Sequence, residues 1–132
     1  IDSNIFLRTL VKEDEKSFND CYKLLELVEN KEISATTSDL VLAEINWVLN
    51  SFYKFGKAQV VSALEGIVNL KGLSITNNTN PTQAIELYKH NNVKFIDALI
   101  ASDKIFSSNG IIISYDKDFD KLGIKRIEPD RA

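Results

Sequence analysis

Four carboxylates of the 132-residue chain stand where a side chain could do chemistry: Asp2, Glu44, Asp97 and Asp116. Asp2 and Asp116 each come just past a short apolar stretch, Ile1 in one case and Ile111-Ile112-Ile113 in the other. Glu44 and Asp97 fall near the starts of helical patterns, among apolar neighbours. In a parallel sheet the carboxyl ends of strands and the N-termini of the following helices share one edge, so all four acids are expected to meet there. Two carboxylates about 4 Å apart repel by roughly 4 kcal/mol at an effective dielectric of 20. A gathering of four therefore needs protons or cations. A ligand set of oxygens, without His or Cys, selects a hard divalent ion, Mg2+ or Mn2+. Such a site suits hydrolysis of a phosphodiester, because the ion supplies a nucleophile, steadies the leaving oxygen and attracts a polyanion.

The elements that must position these acids can be read around each one. Ile111 to Ile113, bounded by Gly110 and Asp116, reads as a strand buried on both faces. Asp116 and Asp118 follow where it emerges, although Asp is also a common turn residue. Glu44 is flanked at helical spacing by Leu40 and Val41 before it and Trp47 and Val48 after it, which places it on an apolar stripe facing the core. An acid there needs a cation, hydrogen bonds or a raised pKa; the plainer alternative is an ion pair with a basic side chain. Asp97 lies in the first turn of a last long helix opened by Lys94-Phe95-Ile96 and shares a face with Ile100 and Ala101. It is expected to point inward, and its plainer role is to favour the helix N-terminus.

The remaining elements alternate. Ile1-Asp2 reads as the stub of a strand, with Ser3 and Asn4 as caps for a short helix carrying Ile5, Phe6, Leu7 and Leu10. A second helix starts at Glu13-Asp14-Glu15 and places Cys21 on its apolar face as a core residue. Ile33 to Thr37 is a strand, and Ser38 or Asp39 caps a third helix running to about Phe55 and stopping at Gly56. Gln59 to Leu70 is a helix and Leu73 to Thr76 a strand; Asn80-Pro81-Thr82-Gln83 opens a further helix to about Asn91. After the strand at Ile111 comes a turn or short helix through Asp120 and Leu122, then an edge strand from Ile124 to Ile127, ending at Pro129. This order predicts an α/β fold with a mostly parallel sheet and helices on both faces, in three layers.

Composition bounds the rest. The chain is 44% hydrophobic and 27% charged, which suits one globular domain over residues 1–132. A lone cysteine excludes an internal disulfide, no apolar run reaches membrane length, and the start does not suit a signal peptide, so a cytoplasmic location is expected. The absence of methionine suggests that the natural chain begins upstream of Ile1. His90 has no nucleophile at a suitable spacing, which sets histidine catalysis aside. A formal net charge of −3 argues against holding nucleic acid by bulk charge, leaving metal ions or local basic contacts; Arg8, Lys117, Lys121, Lys125 and Arg126 are the candidates.

The sequence resembles the PIN-domain ribonucleases, in particular the VapC-like toxins of prokaryotic toxin–antitoxin pairs. The resemblance is carried by Ile1-Asp2-Ser3-Asn4-Ile5-Phe6-Leu7, by Leu42-Ala43-Glu44-Ile45, by Phe95 to Ala101 and by Ser114-Tyr115-Asp116-Lys117-Asp118-Phe119. It implies a three-layer α/β/α PIN-like domain. Asp2, Glu44, Asp97 and Asp116 become its catalytic and metal-binding quartet, with Asn4, Ser114 and Asp118 as supporting residues. It implies Mg2+ or Mn2+ as cofactor, RNA as substrate, a homodimer, and a cognate antitoxin that blocks the site. Ser3 and Ser114 stand where the family often has threonine, and the first strand is nearly absent.

Three other classes compete with this one. A haloacid-dehalogenase-type phosphatase wants a second acid two residues after its nucleophile, where this chain has Asn4, and it leaves Glu44 unexplained. A phospho-receiver domain needs its Asp at the end of a central strand, and neither Ile33–Thr37 nor Leu73–Thr76 ends in one. The non-enzyme alternative is a PIN-like scaffold that binds RNA or protein without cleaving.

Overall fold

Asp2, and neither Ser3 nor Asn4, opens the first helix: its Oδ1 accepts the Ser3 N–H at 2.8 Å, satisfying one of the free donors of a helix N-terminus. In the computed structural model, which describes residues 1–76, 78–114 and 116–127, the chain forms two compact units, Ile1–Asn77 and Asn78–Ala132.

The first unit holds α1 (Ser3–Leu10), α2 (Glu15–Glu29), β1 (Ala35–Thr37), α3 (Asp39–Ser51), α4 (Lys57–Val68) and β2 (Leu73–Ile75). β1 and β2 pair in parallel, Ala35 opposite Leu73 and Thr37 opposite Ile75. Short polar side chains set the helix starts, as their types suggest. Asp14 accepts from the Ser17 N–H and Ser38 from the Val41 N–H. α3 ends at Ser51, short of the expected Phe55, and Gly56 begins α4 instead of terminating α3; its N–H donates to Gln59 Oε1 at 2.9 Å. Phe6, Val28, Leu42, Ile45, Leu49, Val60 and Leu64 are fully buried, each contributing about 1.5–3 kcal/mol. Cys21 is buried on α2, as its spacing predicts.

Gly72 shows why this chain path needs glycine. A Cβ there would sit 2.3 Å from the Val28 carbonyl oxygen, so only a bare Cα lets the entry to β2 pass the end of α2. The expected strand at Ile1-Asp2 does not form a ladder. Ile1 is instead tied to β1 by its ends: its nitrogen donates to the Thr36 carbonyl, and its own carbonyl accepts from Thr37 Oγ1 at 2.9 Å.

The second unit holds α5 (Pro81–His90), α6 (Phe95–Ala101), α7 (Lys104–Ser107), β3 (Ile111–Ile113), α8 (Asp118–Lys121) and β4 (Lys125–Ile127). Asn80 caps α5, its side-chain oxygen accepting the Gln83 N–H at 3.1 Å, with Pro81 at the first helical position. α5 and α6 pack through Tyr88 and Phe95, edge to face at 5.6 Å. The last helix is shorter than expected. Ser102 Oγ donates to the Leu99 carbonyl and accepts the Asn80 N–H, and Asp103 then caps α7 as a separate turn.

β3 and β4 pair in parallel, Ile111 opposite Lys125 and Ile113 opposite Ile127. The expected burial of β3 on both faces is corrected here: Ile111 is 45% exposed, because among the described residues β4 is β3's only ladder partner. The expected strand end at Pro129 lies outside the described residues. Helices alternating with parallel strand pairs make this an α/β fold, as the sequence predicts. No helix among the described residues is long and apolar enough to cross a membrane.

Candidate active site

Asp97 is the third residue of α6, and its backbone N–H donates to the Lys94 carbonyl at 3.1 Å. The side chain is buried, at 8% exposure, and its Oδ2 has no hydrogen-bond partner. Leaving a buried carboxylate oxygen unpaired costs free energy, so another element should face it with something to bind.

What faces it is the loop after β3. Ser114 Oγ accepts the Asp116 N–H at 3.0 Å, and Asp116 Oδ1 accepts the Asp118 N–H at 2.9 Å. These two side-chain turns in succession fold the chain sharply from strand into α8, which is what Ser and Asp do well. The turns bring two carboxylates onto the third. One oxygen each from Asp97, Asp116 and Asp118 lie within 4.8 Å of one another. Burial pushes the Asp97 carboxyl above its ordinary value, and the charges of Asp116 and Asp118 push the same way against an opposing Lys94. Lys121 Nζ stands 2.6 Å from Asp118 Oδ1 and offsets part of this negative charge.

The donor set fits a hard divalent cation. Three carboxylates offer oxygens alone, the donor type a hard divalent ion takes, and one oxygen from each lies within 4.8 Å of the others. Asp97, one of the three, also keeps a buried oxygen without a hydrogen-bond partner.

Asp2 and Glu44 belong to the first unit and Asp97, Asp116 and Asp118 to the second. Asp2 is exposed at the carboxyl end of β1, held there by the two contacts of Ile1 with Thr36 and Thr37. Asn4, in the first turn of α1, is exposed, whereas Ser3 beside it is buried. The inward placement of Glu44 is corrected. α3 buries Leu42, Ile45, Asn46 and Leu49, a stripe that excludes Glu44, and leaves Leu40 and Trp47 exposed with it. Two apolar stripes compete on this helix, and the buried one is the stripe with the better i, i+3, i+4, i+7 match.

The sequence profile of the PIN domain matches residues 1–125. The chain belongs to the PIN domain family. A search of curated proteins finds no match. PIN domains are generally nucleases that use divalent metal ions, and the cluster of Asp97, Asp116 and Asp118 is the corresponding acidic feature of this PIN domain. Membership also points to nucleic acid as the ligand.

Several contacts around the site escape sequence reasoning. Arg126, a candidate substrate contact, is turned onto Asp120: its Nε and Nη2 donate to the two carboxylate oxygens at 2.9 and 3.2 Å. Its Nη1 donates to the Ser114 carbonyl at 2.7 Å. No helical or strand periodicity links positions six or twelve apart across a turn, so nothing local announces these partners. The Asp118–Lys121 pair was readable, since i, i+3 charges meet on a helix. Arg8 pairs with Asp14 at 3.6 Å, and His90 pairs with Glu86 on the surface of α5.

Proposed function

We propose that this PIN domain is a metal-dependent endoribonuclease that hydrolyses RNA phosphodiester bonds, and that it is the toxin of a toxin–antitoxin module. The observation that carries the nuclease reading is the buried, unpaired Oδ2 of Asp97, in a residue clustered with Asp116 and Asp118. Asp97, Asp116 and Asp118 would hold Mg2+ or Mn2+. A bound ion of this kind polarises a phosphoryl oxygen and lowers the pKa of water. The protein's own part is to keep three carboxylates together in a folded loop before the ion arrives, with Lys121 offsetting charge at Asp118. Asp2 and Glu44 are proposed as further acids of the reaction, on the resemblance of the segments around them. Ser114 supports Asp116 through its hydroxyl. Asn4 is proposed as a supporting residue on resemblance alone.

The toxin reading rests on the same resemblance, and residues 1–132 are taken as a single nuclease domain acting in the cytoplasm. A cleft of about 590 Å3 in the first unit, lined by Phe6, Leu10, Leu25, Phe55, Ile67 and Leu70 among others, offers an antitoxin segment an apolar seat. Leu40 and Trp47, seven residues apart on α3 and both more than 60% exposed, would give a second copy of the chain an apolar face in a homodimer.

The test is incubation of the chain with unstructured RNA in Mn2+ and in EDTA. Cleavage that EDTA abolishes and Mn2+ restores supports the reading. Binding of Mn2+ and RNA without cleavage at any metal concentration would favour a non-cleaving PIN-like scaffold.

A further inference from the structure

We propose that Arg126 is a positioning residue for the acidic site, setting the geometry of the Asp116–Asp118 loop from β4; this rests on the nuclease reading above. A single guanidinium ties together both ends of the segment that carries the two acids. At one end its Nη1 donates to the carbonyl of Ser114, the residue whose hydroxyl accepts the Asp116 N–H. At the other end its Nε and Nη2 grip both oxygens of Asp120, which shares α8 with Asp118. Between these two anchors lie the two turns that aim Asp116 and Asp118 at Asp97.

The chemistry suits a brace and not a substrate contact. The Arg126 side chain is only 10% exposed, and its fork is spent on a bidentate pair with a carboxylate plus a carbonyl. A bidentate pair fixes direction as well as distance, which a point charge on a flexible stem cannot do. β4 itself is held against β3 by its ladder, and the Ser114 N–H donates to the Ile127 carbonyl at 3.0 Å. The guanidinium therefore transmits the position of a paired strand to the loop that carries the acids. Groups that orient metal ligands in this way typically change metal affinity 10–100-fold when removed.

The experiment is titration of Mn2+ into the intact chain, followed by calorimetry, for wild type, Arg126→Lys and Asp120→Asn, with melting curves of each and RNA cleavage at rising Mn2+. Arg126→Lys keeps the charge and loses the fork; Asp120→Asn keeps Arg126 and weakens its anchor. The expected result is an Mn2+ dissociation constant raised about tenfold or more in both folded variants, with cleavage recovering as Mn2+ is raised. Unchanged Mn2+ affinity in a folded Arg126→Lys or Asp120→Asn protein overturns the proposal, even if melting temperature falls, since that outcome marks a structural contact only. A raised KM for RNA at unchanged Mn2+ affinity also overturns it, in favour of a substrate contact. If Arg126→Lys fails to fold, Asp120→Asn decides alone. Wild-type protein that binds no Mn2+ refutes the metal reading itself, and the proposal with it.

Discussion

Asp116 Oδ1 accepts the backbone N–H of Asp118 at 2.9 Å, so one carboxylate both shapes the loop and serves the acidic cluster. These two duties separate by substitution. Asp116→Asn retains an oxygen acceptor and removes the charge; Asp116→Ala removes both. The first is expected to leave stability within about 0.5 kcal/mol, and the second to cost about 1 kcal/mol through the lost turn bond. Both should lose metal-dependent cleavage. Equal stability of the two variants in thermal melts would mean that the turn bond contributes little to the fold.

Asp97 makes the metal-free protein sensitive to pH. Burial, then Asp116 and Asp118, raise its folded pKa above the ordinary 3.8. Folding thus favours the protonated form. Its contribution is fully present below the unfolded pKa and is lost as pH rises through the folded one. In EDTA, Asp97→Asn should melt higher than wild type at neutral pH, with the difference shrinking on acidification towards the unfolded value. A lower melting temperature for Asp97→Asn at neutral pH would show that helix-terminus attraction and Lys94 outweigh burial and like-charge repulsion.

Glu44 is exposed on α3, away from the buried stripe of Leu42, Ile45, Asn46 and Leu49. Glu44→Gln should therefore change stability by no more than about 0.5 kcal/mol. As an acid of the reaction its loss should lower cleavage by roughly 100-fold or more. Wild-type cleavage by a folded Glu44→Gln protein would remove it from the mechanism and leave the second unit's cluster to act without it.

Gly110 feeds β3, and a Cβ there would stand 2.6 Å from the Ile105 carbonyl oxygen of α7. The neighbour is backbone and cannot swing aside. Gly110→Ala is expected to destabilise by about 1–3 kcal/mol, read from denaturant midpoints. Because β3 leads straight into Ser114 and the acid loop, Mn2+ affinity should fall as well. No loss of stability would mean that α7 shifts freely.

Sequence reasoning did best where chemistry is local. The caps at Ser38 and Asn80, the helix start at the acids around Asp14, the β-branched runs that became β1 and β3, and the inward Asp97 all follow from neighbours within a turn or two. It failed where two local patterns competed. On α3 the pattern of Leu40, Val41, Trp47 and Val48 looked as apolar as the stripe that tertiary packing buried, and Glu44 went with the losing one. Ile111 misled for a related reason: an apolar run shows that a strand can be buried on both faces, but not how many neighbours the strand has. The grip of Arg126 on Asp120 and Ser114 depends on the register of β4 against β3, which no spacing rule supplies.

The most direct test is the rate of RNA cleavage as a function of Mn2+ for wild type and Asp97→Asn, both shown to be folded. Wild type should show a saturable, EDTA-sensitive rate, and Asp97→Asn a loss of roughly 100-fold or more at every Mn2+ concentration, since the buried carboxylate of the cluster loses its charge. Wild-type rates and an unchanged Mn2+ midpoint in Asp97→Asn would contradict this, because no metal chemistry built on Asp97, Asp116 and Asp118 could survive that substitution untouched.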